Sequence, residues 1–293
     1  MLVSIRSLVI FFLGFIVAWL APSFVYQSPP FFSTRSPNPR PNSPVATVRT
    51  DSMAATLPLK FLTVASVTKH TATVIFVHGL GDDGYGWQPV ANMFAQDPGL
   101  KHVKWILPHA PHARVTANGG MEMPSWFDIY EFGGVNPRED EEGMLKTVHN
   151  LNQLISAEVD ADIPANRIVL GGFSQGAAMT LLTGMTSERR LGGLAVLSGW
   201  LPLRDKIKSM LSEHAKKIPA FWGHGIADPL VRFDRAKQSL EVLEGQLGIK
   251  KATPETVLEG GIEFHAYNGL QHSADPQELE DLKAFLKKVI PQE

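Results

Sequence analysis

The stretch VLGGFSQGAAMTLL, residues 169–182, decides the fold of this chain. Its first residues are apolar and predict the end of a buried strand, while Gln175–Gly184 is small and apolar and predicts a buried helix. The pattern G-x-S-x-G, centred on Ser174, lies at the junction, where Gly172 and Gly176 keep a sharp turn free of side chains. Such a strand–turn–helix arrangement presents a serine hydroxyl above the edge of a sheet. We therefore predict that Ser174 is a nucleophile.

Strand and helix patterns alternate on both sides of this junction, from Leu59 to the end of the chain. Apolar, β-branched runs predict buried strands at Leu59–Val67, Thr73–Val77, Lys104–Leu107, Arg167–Gly171, Gly193–Leu197, Ala220–Trp222 and Ile262–Tyr267. Apolar periodicity predicts helices at Glu142–Val159, Gln175–Gly184, Asp234–Leu247 and Leu279–Ile290. The alternation predicts a mostly parallel central sheet with helices on both faces. Together with the serine turn, it predicts an α/β-hydrolase fold without a large lid domain.

The composition limits the classes of function open to the chain. Its 293 residues suit one large α/β domain, and 44% hydrophobic with 19% charged residues is ordinary for an enzyme with a sizeable core. A formal net charge of -2 provides no basic field to hold nucleic acid, so we predict no nucleic-acid partner. The absence of cysteine excludes disulfides, thiolate metal sites and a cysteine nucleophile. The histidines show no H-E-x-x-H spacing, so no metal site is predicted, and catalysis by a serine nucleophile needs no organic cofactor.

A glycine-rich loop after an early strand predicts the oxyanion hole. The predicted strand Thr73–Val77 runs directly into HGLGDDG, residues 78–84. In this fold such a loop supplies one N–H donor, and the residue after the nucleophile supplies the other. The predicted donors are therefore the backbone N–H groups of Leu80 and Gln175. We interpret His78 as a structural histidine, because the catalytic base of this fold comes last in the chain.

The order of residues along the chain selects the acid and the base, since this fold places serine first, then the acid, then histidine. Four histidines follow Ser174: His214, His224, His265 and His272. His224 precedes every good acid candidate, whereas His272 lies in a loop after the last predicted strand. We predict that His272 is the base. Asp228 lies in the loop GIADP, residues 225–229, directly after another predicted strand, and we predict that it is the acid.

Residues 1–52 differ in composition from the rest of the chain. The first fifty contain no Asp, Glu or Lys, and Leu8–Ala21 is an unbroken apolar run shorter than the about 20 residues of a membrane-spanning helix. It fits a signal-peptide core or a marginal signal anchor, and the acid-free leader also allows a mitochondrial presequence. Residues 27–50 are rich in Pro and Ser and predict a disordered linker. Translation from Met53 is the competing interpretation. The predicted division is a leader and linker over 1–52 and a catalytic domain over 53–293.

Several motifs together resemble the acyl-protein thioesterase family, small cytosolic hydrolases also called lysophospholipase-like carboxylesterases. The segments are FVHGLGD (76–82), PHAP (108–111), MPSWFD (123–128), GGFSQG (171–176), LSGWLP (197–202), HG with DPLV (224–231) and LQHS (270–273). The resemblance covers about Leu59 to Pro291. It implies a triad of Ser174, Asp228 and His272, with oxyanion donors at Leu80 and Gln175. Those residues are the ones reached above from chain order and local context. The chain departs from the family in Ala177, where a third glycine is common, and in its leader.

The resemblance implies hydrolysis of long-chain S-acyl thioesters, typically palmitoyl, on protein cysteines. The implied substrates are S-palmitoylated proteins such as G-protein α subunits and Ras-like GTPases, with lysophospholipids cleaved more weakly. Transient contact with a membrane surface and a cytoplasmic location, extending to the nucleus, are expected. A membrane-anchored, secretory or mitochondrial location replaces these if the leader is genuine.

An apolar stretch predicts where the acyl chain binds. NGGMEMPSWF, residues 118–127, is expected to be a flexible loop that covers the chain. Candidate walls of the acyl pocket are Leu80, Met123, Trp126 and Leu230, and simple core packing is the competing interpretation for each. Two other functions stay open: a lysophospholipase or general carboxylesterase as the main activity, and a non-catalytic binding module. The complete triad disfavours the binding module.

Overall fold

The computed structural model describes residues 58–133 and 138–293. Its strands are β1 (Phe61–Val64), β2 (Ala72–Val77), β3 (Val103–Pro108), β4 (His112–Val115), β5 (Met121–Pro124), β6 (Ile168–Phe173), β7 (Gly193–Leu197), β8 (Pro219–Gly225), β9 (Lys251–Ala252) and β10 (Gly261–Tyr267). Its α-helices are α1 (Gly84–Ala95), α2 (Glu141–Asp160), α3 (Gln175–Thr186), α4 (Ile207–Met210), α5 (Phe233–Gly245) and α6 (Pro276–Val289). Short 3-10 turns lie at Thr116–Asn118, Ala165–Arg167, Ala215–Lys217 and Val257–Glu259.

The central sheet has eight strands in the order β1-β3-β2-β6-β7-β8-β10-β9. Only β1 runs antiparallel to its neighbour, and every other pairing in this sheet is parallel. Strand β6, which directly precedes Ser174, lies between β2 and β7, and each of its six residues is buried. The prediction of an α/β-hydrolase fold with a mostly parallel sheet is therefore confirmed.

Two apolar cores cover the two faces of the sheet. Successive residues of β2 belong to different cores. Ile75 and Val77 lie in the first core, and Val74 and Phe76 lie in the second. This division follows from the pleat, which directs successive side chains to opposite faces. Helices α2, α3 and α5 contribute to the first core, and α1 and α6 contribute to the second. Both faces of the parallel sheet are thus covered, which explains why its strands are apolar throughout rather than alternating.

Side-chain caps set where helices α2 and α6 begin. The side chain of Asp140 accepts a hydrogen bond from the N–H of Gly143 at 3.1 Å, which caps α2. The side chain of Asp275 accepts from the N–H of Glu278 at 2.9 Å, and Pro276 occupies the first helical position of α6. Both arrangements satisfy N–H groups that have no partner within the helix.

The structure corrects the prediction for residues 118–127. They were expected to form a flexible loop, but Met121–Pro124 is a strand that pairs with His112–Val115 in an antiparallel hairpin. Gly119 and Gly120 adopt φ values of 67° and 76°, which form the turn between the strands. The Gly-Gly pair therefore marks a tight turn, because glycine adopts positive φ without steric cost.

Helix α1 was not predicted from the sequence. Two glycines lie in its first turn and Pro89 lies within it, and these residues are typical of loops. The helix begins after Asp83, whose side chain accepts from the N–H of Tyr85 at 2.8 Å. Its buried residues, among them Trp87 and Phe94, pack into the second core. Tertiary packing thus outweighs weak local propensity here.

Membrane-spanning elements were sought along residues 58–133 and 138–293, and no helix there is long and apolar enough to cross a bilayer. The predicted leader and linker over 1–52 lie outside the described residues.

Candidate active site

The turn between β6 and α3 presents Ser174 in an uncommon backbone conformation. Its φ of 55° and ψ of -117° lie in a region that costs roughly 1–3 kcal/mol for a residue with a side chain. The Ser174 N–H donates to the carbonyl of Leu197 at 2.9 Å, which ties the turn to the end of β7. A Cβ built on Gly176 would clash with the carbonyl oxygens of Val77 and His78, lying 2.5 Å from the second. The helix therefore approaches β2 so closely that only glycine fits.

The structure brings together the three residues predicted as the triad. The Nε2 atom of His272 lies 2.8 Å from the Oγ atom of Ser174, and its Nδ1 atom lies 2.7 Å from the Oδ2 atom of Asp228. Strands β6, β8 and β10 are parallel, so their carboxyl ends meet at one edge of the sheet, and each residue follows one of these strands. A carboxylate only accepts hydrogen bonds, so Nδ1 of His272 carries the proton and Nε2 is free to accept from the serine hydroxyl.

Asp228 is held rigidly from its other side. Its carboxylate is buried, and Oδ1 accepts hydrogen bonds from the N–H groups of Leu230 and Val231, both at 2.9 Å. These two hydrogen bonds fix the orientation of the carboxylate. The remaining oxygen, Oδ2, is directed at His272. The geometry thus suits an acid that orients an imidazole and stabilises its protonated form.

The two predicted oxyanion donors lie beside Ser174. Gln175 follows the serine as the first residue of α3, where N–H groups have no partner within the helix. Leu80 follows Gly79, and a Cβ built on Gly79 would be 3.4 Å from the Cβ of Ser174. Among the described residues, neither the Leu80 nor the Gln175 N–H has a hydrogen-bond acceptor. Both donors are therefore available to an oxygen atom above the serine.

The side chain of Gln175 fixes this region, a role that the sequence did not reveal. Its Oε1 accepts from the N–H of Trp126 at 3.0 Å, and its Nε2 donates to Ser125 Oγ at 3.1 Å and to the Phe127 carbonyl at 2.9 Å. The amide is buried and uses both of its polar atoms. It links the start of α3 to residues 125–127 and so restrains the Gln175 N–H itself. The adjacent PSWF motif was visible in the sequence, but its pairing with a distant glutamine depends on tertiary structure.

His78 has the structural role that was predicted for it. Its Nδ1 lies 2.7 Å from the Gly79 carbonyl, and its Nε2 accepts from the Ala110 N–H at 3.1 Å. Burial lowers the pKa of His78 to about 4, so the ring is neutral at physiological pH. The Trp126 indole donates to the His78 carbonyl at 2.8 Å. Both ring nitrogens of His78 thus contact backbone atoms at the glycine-rich loop 78–84 (the oxyanion loop) and its neighbour Ala110.

The four predicted acyl-pocket residues lie in different environments. Leu230 is 52% exposed and follows the Asp228 loop, while Leu80 and Met123 are half-buried. A Cβ on Gly81 would be 3.9 Å from the Met123 Sδ, which places the hairpin against the oxyanion loop. Trp126 is only 3% exposed and belongs to the first apolar core, so core packing describes it better than an open pocket wall.

A fully buried carboxyl group, Glu278, packs against strand β8, which precedes the Asp228 loop. Both of its carboxyl oxygens have no hydrogen-bond partner within the described part of the chain, and it packs where Gly223 of β8 has no side chain. Burial, and secondarily the negative charges of Asp275, Asp228 and Asp281, raise the pKa of Glu278 well above its usual range. The sequence DPQE, residues 275–278, is typical of a helix start and gives no sign of a buried carboxyl.

The raised pKa of Glu278 predicts a stability that depends on pH. The folded protein retains a proton that the unfolded chain releases near the ordinary pKa of 4.5, so this contribution is complete below that pH and is lost as pH rises through the folded-state pKa. Glu278→Gln keeps the shape but does not titrate. We expect the stability of the native protein relative to Glu278→Gln to fall with increasing pH, by at most about 1.4 kcal/mol per pH unit. Urea unfolding of both proteins across a pH series measures this, and parallel curves would contradict it.

Metal-binding geometry is absent from residues 58–133 and 138–293, since no group of three or more His, Asp or Glu side chains there could hold an ion.

Comparison with known proteins places this geometry in a family. Residues 60–290 match the family model described as Phospholipase/Carboxylesterase. An acyl-protein thioesterase 1 of Cryptococcus neoformans var. neoformans is 50% identical over 235 residues, covering 79% of this chain and 98% of that protein. An acyl-protein thioesterase 1 of Mycosarcoma maydis is 44% identical, covering 77% of this chain and 94% of that protein.

Two solved structures are similar to this chain in both sequence and fold. The crystal structure of Arabidopsis thaliana SOBER1 is 34% identical with a TM-score of 0.67, covering 75% of this chain and 99% of that one. The crystal structure of Zea mays acyl-protein thioesterase 2 is 28% identical, also with a TM-score of 0.67, and covers 79% and 99% of the two chains.

Proposed function

We propose that this chain, which belongs to the acyl-protein thioesterase 1 family of the phospholipase/carboxylesterase hydrolases, cleaves long-chain thioesters from protein cysteines. It is a serine hydrolase. The observation that carries the proposal is the continuous hydrogen-bonded chain from Ser174 through His272 to Asp228. The relatives named acyl-protein thioesterase 1 supply the substrate class.

The proposed reaction begins with attack by Ser174. His272 Nε2 takes the hydroxyl proton as Oγ adds to the thioester carbonyl, and Asp228 stabilises the resulting imidazolium. The N–H groups of Leu80 and Gln175 hold the oxyanion, and losing one such donor typically costs about 3 kcal/mol in the transition state. The imidazolium then returns its proton to the departing cysteine sulfur. Water, activated by the same histidine, hydrolyses the acyl-enzyme and releases the fatty acid.

The proposed substrates are S-palmitoylated proteins such as G-protein α subunits and Ras-like GTPases, with lysophospholipids cleaved more weakly. Leu80, Met123 and Leu230 are the proposed contacts of the acyl chain, supported by their positions next to the oxyanion loop and the Asp228 loop. Trp126 supports this region from the core. Because lipidated substrates lie at membranes, the enzyme contacts a membrane surface transiently.

Residues 53–293 form the proposed catalytic domain, in keeping with the family match over 60–290. The proposed location is the cytoplasm, extending to the nucleus. If residues 1–52 are translated and retained, a membrane-anchored, secretory or mitochondrial location takes its place.

A second candidate is lysophospholipid or general carboxylester hydrolysis as the main activity. It is favoured by the breadth of the matching family, which is described as Phospholipase/Carboxylesterase. The same triad chemistry serves both functions, because an ester and a thioester pass through the same kind of tetrahedral intermediate.

A substrate comparison distinguishes the two candidates. We expect the full-length chain to show a higher kcat/KM for a palmitoylated cysteine peptide than for a palmitoyl lysophospholipid, and a lower value for the acetylated peptide. Ser174→Ala serves as the control for contaminating esterases and should be inactive on all three substrates. Faster cleavage of the lysophospholipid would assign the enzyme to phospholipid metabolism instead.

A further inference from the structure

We propose that His224 is a positioning residue, whose imidazole N–H holds the turn that fixes the Asp228 carboxylate against His272. The role deepens the proposed function and rests on it. The HG motif at residues 224–225 was part of the family resemblance, yet the triad and the oxyanion hole leave this histidine unexplained.

The contact itself joins a strand to the end of the acid loop. His224 lies on β8 with none of its surface exposed, and its Nε2 is 2.7 Å from the carbonyl oxygen of Val231. A carbonyl oxygen only accepts, so Nε2 carries the proton and donates. The hydrogen bond spans seven residues and joins the end of β8 to the end of the loop that contains Asp228.

Val231 is hydrogen-bonded to both His224 and Asp228 and so connects the two side chains. Its carbonyl accepts from His224, while its N–H donates to Asp228 Oδ1 at 2.9 Å, as does the N–H of Leu230. With Oδ1 held by two donors, Oδ2 is left for the Nδ1–H of His272 at 2.7 Å. The hydrogen bond to the Val231 carbonyl restrains the residue whose N–H holds Asp228 Oδ1, and so restrains the direction of the acid oxygen that faces the base.

The charge state of His224 suits this role. Burial lowers the pKa of His224, and repulsion from His272, when that ring is protonated, acts in the same direction, while the Val231 carbonyl and Asp228 oppose the shift. A charged His224, whose Nε2 lies 3.7 Å from Asp228 Oδ2, would compete with the His272 imidazolium for that carboxylate. A neutral ring provides the N–H donor without this competition.

The ring makes no second hydrogen bond within residues 58–133 and 138–293 that would explain its burial. Its Nδ1 atom has no hydrogen-bond partner there, and the ring of Phe233 lies 6.0 Å away between centroids. An aliphatic side chain would fill such a place at lower desolvation cost. The single N–H donated to Val231 therefore accounts for a histidine at this position.

A matched pair of variants tests the hydrogen bond. Glutamine and methionine are unbranched and of equal length, but only glutamine can donate to Val231. We expect His224→Met to lower kcat roughly 10- to 100-fold with little change in KM, less than the about 10⁴-fold loss that follows disabling a triad aspartate. We expect His224→Gln to stay within about threefold of the native enzyme.

The pH profile separates positioning from simple structural support. A misdirected Asp228 stabilises the protonated base less, so we expect the acidic limb of kcat/KM to move to lower pH in His224→Met but not in His224→Gln. An unmoved limb with unchanged kcat, or equal losses in both variants, would overturn the proposal. If His224→Met does not fold, His224→Phe, which keeps a ring but donates nothing, takes its place.

A second measurement tests the role of His224 independently of the identity of the substrate. The rate at which a fluorophosphonate labels Ser174 depends on the His272–Asp228 pair and not on the acyl chain of a substrate. Slower labelling of His224→Met, restored in His224→Gln, supports the positioning role. If the native enzyme is labelled readily but cleaves palmitoylated peptides poorly, the proposed substrate is rejected. The comparison of labelling rates between the His224 variants still tests the positioning role.

Discussion

Replacing Ser174 with alanine is expected to lower kcat by roughly 10⁴- to 10⁶-fold, because the variant keeps the oxyanion donors but has no atom to form the acyl-enzyme. Steady-state and single-turnover hydrolysis of a palmitoylated peptide measure the loss. Undiminished turnover would mean that another residue is the nucleophile.

A glycine variant at the same position provides a control for folding. Ser174 adopts a φ of 55°, which glycine adopts without steric cost, whereas alanine, like serine, adopts it at a cost. Both Ser174→Gly and Ser174→Ala are expected to be inactive, but the glycine variant should be more stable by about 1 kcal/mol or more. Equal stability of the two variants would contradict the view that the turn is strained.

Replacing Gly176 with alanine is expected to destabilise the protein by more than about 4 kcal/mol, the range of the most severe single substitutions. The added methyl would overlap the carbonyl oxygens of Val77 and His78, which are backbone atoms of a central strand and its loop. Neither can move without separating α3 from the sheet. Urea unfolding monitored by circular dichroism measures the change.

Gly245 at the end of α5 is the matched control for this substitution. A Cβ built there meets no atom within 4 Å, and its φ is not positive. Gly245→Ala is therefore expected to be neutral or to stabilise the protein by up to about 1 kcal/mol. If Gly176→Ala were as stable as Gly245→Ala, the space between Gly176 and the carbonyl oxygens of Val77 and His78 would have to be wide enough for a methyl group, which would contradict the structure.

The sequence predicted the features that depend on local pattern. The β6–α3 junction, the parallel sheet and the approach of His272 and Asp228 to Ser174 all follow from apolar runs, glycine spacing and chain order. Parallel strands place their carboxyl ends at one edge, so residues that follow three such strands converge there. The family resemblance adds the substrate class, which no spacing rule supplies.

The features that depend on tertiary contacts were not predictable in this way. The Gln175 side chain pairs with residues 125–127, about fifty positions away. Glu278 lies in the first turn of α6, where acidic residues are common, and only the packing of α6 against Gly223 shows that its carboxyl is buried. Helix α1 was not predicted because it contains Pro89, which has a low helix propensity. Burial of its apolar residues stabilises the helix despite that propensity.

The most direct test of the account is detection of the acyl-enzyme itself. Full-length protein is mixed with a palmitoylated cysteine peptide, quenched in acid during turnover and mapped by peptide mass spectrometry. The account predicts a palmitoyl ester on Ser174 that is absent from Ser174→Ala. An acyl group on another residue, or the Ser174→Ala protein cleaving the peptide at the native rate, would contradict it.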